Sequence, residues 1–92
     1  MNESDVEAKM KKFIKQRGGM STKMHSRSWP DLYVLTKDGY GFFIEIKMNM
    51  KGGWKLTPHQ MECHKRIRER GKDVYVIDVS DGDWERILES LL

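Results

Sequence analysis

Three charged residues stand where charge is costly to place. Glu45 and Lys47 fall inside residues 41–48, a run with Phe42, Ile44, Ile46 and Met48 in one alternating set and Phe43 in the other. Apolar residues in both sets read as a central strand covered on two sides. A charged side chain on such a strand is disfavoured unless it is paired or binds a cation. Residues two apart on a strand share a face, so the Glu45 carboxylate and the Lys47 ammonium stand side by side. A carboxylate beside a positioned amine can hold a cation and orient a water, although an ordinary strand-end ion pair has the same composition. Asp31 changes the balance. Two carboxylates on neighbouring strands can share a hard divalent cation, which keeps its remaining places for waters and substrate oxygens. A phosphodiester is the natural substrate of that centre, attacked by an activated water with no covalent enzyme intermediate.

The strands must then bring Asp31 to the same face. Residues 31–36 and 41–48 are rich in β-branched and aromatic side chains and flank Asp38-Gly39, a hairpin signal. A two-residue turn there would pair Lys37 with Tyr40 and Asp31 with Ile46, sending Asp31 to the face opposite Glu45. An odd loop, Asp38-Gly39-Tyr40, or an equivalent bulge at Gly39 or Gly41, shifts the pairing by one and gathers Asp31, Glu45 and Lys47. The site therefore predicts an odd loop.

Other elements follow from capping and periodicity. Ser4-Asp5-Val6-Glu7 reads as a capping box, after which Val6, Met10, Phe13 and Ile14 keep helical spacing until Gly18-Gly19. A short edge strand is expected at residues 22–25, and Trp29-Pro30 punctuates the approach to the next strand. Residues 49–55 form a Gly-rich basic loop, and Thr57-Pro58-His59-Gln60 opens a helix with proline in its first position, running to Gly71. Residues 73–79 contain the apolar Val74-Tyr75-Val76-Ile77, and two strands joined by a helix predict a parallel crossover. Residues 80–83 cap a last helix with an apolar stripe of Trp84, Ile87, Leu88 and Leu91. The expected fold class is α/β, a mixed β-sheet flanked by helices in one domain over residues 1–92.

The order Glu7, Ser28-Trp29-Pro30-Asp31, Glu45-Ile46-Lys47, Gln60 resembles the PD-(D/E)XK (restriction-endonuclease-like) nuclease superfamily, specifically its virus-type replication-repair nuclease (VRR-NUC) branch. The resemblance spans nearly the whole chain. It implies that Asp31 and Glu45 bind Mg²⁺ or Mn²⁺ with the Ile46 carbonyl as a further ligand. It also implies that Lys47 assists the attacking water, that Gln60 supports the site and that Glu7 can join it. One departure is Ser28-Trp29, where the family often has glycine shortly before the Pro-Asp pair; this bears on substrate fit more than on chemistry.

Several of these residues carry a second reading. Gln60 is three residues after Thr57 and Glu7 three after Ser4, so capping alone accounts for both. His59 and Cys63 share a spacing that can bind zinc and His64 adjoins them, but only His25 remains to complete such a site. Lys51, Trp54 and Lys55, in the loop after the Glu-x-Lys strand, are placed to meet a nucleic-acid backbone, the alternative being a solvated loop. Lys23, Arg27 and Ser28 belong with them, at the end of an acid-free stretch that also holds Lys9, Lys11, Lys12, Lys15 and Arg17. Exposed methionines near Met48 or Met50 would mark a dimer surface.

The bulk composition sets outer bounds. At 92 residues the chain buries one modest core, and 34% charged against 38% hydrophobic residues suits a folded soluble domain. The net charge of +3 is small, but its clustering before Pro30 offers a surface to a polyanion. One cysteine, Cys63, cannot form an internal disulfide, and no run nears the roughly 20 apolar residues of a membrane helix. A cytoplasmic location is expected, in the host cell if the protein is viral, with no membrane and no small-molecule cofactor. The resulting expectation is a Mg²⁺- or Mn²⁺-dependent, structure-specific DNA endonuclease of replication and repair. Acting as a homodimer, it would cut branched DNA such as a four-way (Holliday) junction. A non-catalytic module that binds DNA or a replication protein is the alternative from another class, and RNA is the alternative substrate.

Overall fold

A computed structural model describes residues 2–48, 55–80 and 82–92. The first helix, α1 (Glu3–Gln16), is capped by Asn2, whose side chain accepts from the Asp5 amide at 2.9 Å while Asp5 Oδ2 accepts from the Asn2 amide at 3.3 Å. This is the reciprocal box expected of Ser4 and Glu7, two residues earlier. Ser4 lies within the helix, and Glu7 is released from capping. Val6, Met10 and Ile14 form the buried stripe.

Four strands follow in a sheet of order β1-β2-β3-β4: β1 (Met20–Lys23), β2 (Leu32–Leu35), β3 (Gly41–Lys47) and β4 (Asp73–Asp78). The first three are antiparallel, and β4 runs parallel to β3 after the crossover helix α2 (Pro58–Glu69). The sheet is mixed because a tight loop can only reverse the chain, whereas a helix returns it. The edge strand sits two residues earlier than the predicted 22–25.

The β2–β3 hairpin has an odd loop, Lys37-Asp38-Gly39, one residue before the expected one. Thr36 and Tyr40 close it, the Thr36 amide donating to the Tyr40 carbonyl at 2.8 Å, and the Gly39 amide donates to the Thr36 carbonyl at 3.0 Å. Gly39, at φ +88°, occupies the left-handed position that such a loop reserves for glycine. Leu32 then pairs with Ile44 and Leu35 with Gly41. Carried one residue outward, this register sets Asp31 across from Glu45 rather than Lys47.

Alternate residues of β3 face two different layers. Phe42, Ile44 and Ile46 join Val6, Met10 and Ile14 of α1 with Trp84 and Leu88 of α3 (Trp84–Leu91) in the main core. Phe43 joins Val74 and Ile67 beneath α2. The α3 stripe is narrower than expected, since Ile87 is 40% exposed. Asp83, its first capping position, makes no side-chain cap bond and instead pairs with Arg86 at 2.6 Å. Arg17 lies over the Phe13 ring at 3.4 Å and pairs with Glu89, so this member of the basic run ties α1 to α3. Among the described residues no helix is long and apolar enough to cross a membrane.

Candidate active site

The charged half of β3 meets α2 in two rungs. Glu45, 3% exposed, accepts through Oε1 from Nε2 of His64 at 3.1 Å, and His64 is fully buried. Two residues along the strand, Lys47 Nζ donates to Gln60 Oε1 at 3.3 Å. The spacing fits because two strand residues advance about 6.6 Å and four helix residues about 6 Å. The crossover makes α2 antiparallel to β3, so the later strand residue meets the earlier helix residue.

Gln60 serves both readings made of it. Its Oε1 accepts from the Thr57 amide at 3.0 Å, its own amide donates to Thr57 Oγ1 at 3.1 Å, and the same oxygen receives Lys47. Capping therefore fixes the atom that holds the lysine. Sequence reasoning set His64 beside His59 and Cys63 as a weak zinc group and missed its pairing with Glu45. The available signal was its spacing of four from Gln60, matched to the spacing of two between Glu45 and Lys47.

Burial holds the His64 imidazole below its usual range, and the charges of Arg68 and Lys47 push the same way against a smaller opposing pull from Asp31. The contact with Glu45 is therefore a neutral imidazole donating to a carboxylate, which places the proton on Nε2. Nδ1 is buried with no hydrogen-bond partner among the described residues.

Asp31 immediately precedes β2, following the fully buried Pro30. Its carbonyl accepts from the Met24 amide at 2.9 Å, tying it to the end of β1, and its Oδ2 accepts from the Ile46 amide at 2.7 Å. The carboxylate thus spans from one strand onto the backbone between Glu45 and Lys47. Backbone groups alternate sides along a strand. The Lys47 carbonyl bonds Val79 on the β4 side, so the Ile46 carbonyl faces β2 and Asp31.

Asp31 and Ile46 line a cleft of about 240 Å³ with Ser4, Glu7 and Lys23. Glu7 Oε2 receives Lys23 Nζ at 3.3 Å, while Glu7 Oε1 is buried with no hydrogen-bond partner among the described residues. An unsatisfied buried carboxylate oxygen is costly, and a cation would relieve it. Among the described residues no three His, Cys, Asp or Glu side chains gather into a ready cluster. The donors near Asp31 are oxygens, and a hard cation that takes one or two carboxylates and completes its shell with main-chain, water and substrate oxygens fits them.

The remaining sequence-predicted residues separate. Lys23 reaches the Glu7 cleft, whereas Arg27 and Ser28 line a hollow with Thr57, His59 and Gln60 on the α2 side. Lys55 is exposed ahead of α2, and Lys51, Trp54 and Met50 lie outside the described residues. Met48 packs half-buried against the main core.

No family model matches the chain. A protein of the Acyrthosiphon pisum secondary endosymbiont phage 1 named "Putative nuclease p44" is 31% identical over 84 residues, covering 88% of this chain and 87% of its own. A solved structure described as a VRR_NUC domain superposes with a TM-score of 0.79 at 29% identity, over 98% of this chain and 97% of that one. The chain belongs to the VRR-NUC nuclease family. Among the described residues the VRR-NUC fold is a mixed four-stranded sheet with three helices, the restriction-endonuclease-like α/β arrangement. The polar rungs lie at the end of β3 beyond its pairing with β2.

Proposed function

We propose that this VRR-NUC domain, acting as one unit over residues 1–92, is a Mg²⁺- or Mn²⁺-dependent endonuclease that hydrolyses DNA phosphodiesters. The observation that carries the reading is the Asp31 carboxylate hydrogen-bonded at 2.7 Å to the backbone between Glu45 and Lys47. Asp31, Glu45 and the Ile46 carbonyl are the groups that would hold the cation, with Glu7 joining from α1. When bound, a divalent cation neutralises charge on the phosphate and makes water more acidic. Lys47, held by Gln60, orients the attacking water or a phosphate oxygen in line with the leaving group. His64 fixes the rotamer of Glu45 through its Nε2 proton, and its low basicity keeps it a donor to that carboxylate without adding charge. Water attacks directly, so no covalent enzyme intermediate forms.

The preferred substrate in this reading is branched DNA, a four-way junction cut by a symmetric pair of copies in replication or repair. Two copies present two sites to two strands. The edge strand β1, with Met20 67% exposed, is the surface on which the pair would form. The test is cleavage of labelled junction, flap, duplex and single-stranded DNA with Mg²⁺, Mn²⁺ or chelator, beside Asp31→Ala. Paired symmetric cuts in the junction, absent with chelator and in Asp31→Ala, are expected. Cutting that survives in Asp31→Ala, or DNA left intact with either metal, would overturn the assignment.

A further inference from the structure

On the α2 side of the sheet two hollows, of about 560 and 580 Å³, share Ser28 and His59 and form one trough. One end contains Gln60, the residue that holds Lys47. The other is walled by Trp29, Arg66 and Arg70, with Cys63 and Ile67 among its lining. Trp29 is 41% exposed although large and apolar. One side of its indole rests on Phe43, with centroids 5.7 Å apart at 59°, and its amide donates to the Ser26 carbonyl at 3.2 Å. The buried Pro30 and then Asp31 follow it in the chain, so the ring is held at a set distance from the proposed cutting site.

The trough is electropositive. Among the described residues Arg27, Arg66 and Arg70 line it against one carboxylate, Glu62, which already pairs with Arg66 at 3.1 Å. Arginines beside an open aromatic face provide phosphate contacts and a base-stacking platform. Inside a duplex both faces of a base are covered by its neighbours, and extrusion is least costly where the base is already unpaired. We infer that the Trp29 trough binds an unpaired nucleotide of the DNA strand entering the cutting site, stacking its base on Trp29 and its phosphates along Arg27, Arg66 and Arg70. This rests on the nuclease reading and adds to it a contact for an unpaired nucleotide, which branched DNA exposes where its strands part at the branch point.

The test uses a duplex with a single-stranded overhang carrying 2-aminopurine, and a blunt duplex of the same sequence, both in chelator so that the DNA stays intact. Stacking on Trp29 should quench the 2-aminopurine on binding. Trp29→Ala should abolish the quench and weaken overhang binding about tenfold with blunt-duplex binding unchanged. Trp29→Leu, which still covers Phe43, should behave like Trp29→Ala, and Trp29→Phe should restore most of both signals. Arg66→Gln and Arg70→Gln should each lower the salt dependence of overhang binding by about one charge. Quenching that persists in Trp29→Ala and Trp29→Leu, or equal weakening on both DNAs, would overturn the proposal. Cleavage with Mg²⁺ is read separately. A wild type that cuts DNA while its Trp29 variants bind normally removes the trough and leaves the nuclease. Trp29-dependent quenching without any cutting removes the nuclease and leaves the trough.

Discussion

On one face of β3 Phe42, Ile44 and Ile46 meet the apolar stripes of α1 and α3. On the other face Phe43 is apolar, but Glu45 and Lys47 meet His64 and Gln60 of α2. Both layers are drawn from alternate residues of one seven-residue strand. Burying apolar area is worth about 25 cal/mol per Å², whereas burying hydrogen-bonded polar pairs is close to neutral. The α1 and α3 face therefore stabilises the strand, and the α2 face uses that rigidity to hold charge at set positions.

The division is broken most severely on the polar side by Lys47→Ala. Cleavage should fall about 10³-fold. The urea midpoint should barely move, because Lys47 is half-buried and contributes no apolar core; undiminished cleavage would remove Lys47 from the chemistry. On the other face Ile44→Ala should cost about 3 kcal/mol while the folded fraction keeps its activity per molecule. If Ile44→Ala instead left stability intact and lost cleavage, the two faces would not be separable in this way.

His64→Ala sharpens the comparison. It removes the donor to Glu45, and the metal concentration for half-maximal cleavage should rise about 10- to 100-fold, as for other groups that orient a ligand. His64→Gln, which can still donate, should recover part of that loss. Gln60→Ala and Thr57→Ala form a matched pair. Each should lower stability by about 1 kcal/mol through the lost cap, but only Gln60→Ala should also slow cleavage, since only Gln60 holds Lys47.

The smallest effect is on pH dependence. The folded pKa of His64 lies below its ordinary value of 6.5, so between the two the unfolded chain binds more protons. Stability is then complete above about 6.5 and declines as pH falls toward the folded pKa. Urea midpoints at pH 7.5 and 5.5 should show a drop in the wild type that is reduced in His64→Gln.

The VRR-NUC assignment was legible because its signals are local. Alternation in residues 41–48 marked a covered strand, Thr57 and Gln60 marked a helix start, and three charges on that scaffold required an odd hairpin loop. The loop's position was not legible. Asp38-Gly39-Tyr40 and Lys37-Asp38-Gly39 both provide an odd count, and the observed register puts glycine at the left-handed position. Nor could the first capping box be placed, because Asn2 with Asp5 and Ser4 with Glu7 satisfy the same spacing.

By itself the sequence determined which residues could carry charge into a buried strand and which elements would surround them. These properties depend on neighbours within a turn of helix or a few strand positions. Only the tertiary structure decided that His64 holds Glu45, that Gln60 holds Lys47, that Asp31 reaches the Ile46 amide and that Trp29 opens onto an arginine-lined trough. Those contacts join residues 13 to 19 apart, or on separate elements; that of Asp31 depends on the hairpin register, and those of His64 and Gln60 on how far α2 slides along β3 as the sheet packs. No local pattern encodes that translation; the fit of Phe43, Ile67 and Val74 between helix and sheet sets it.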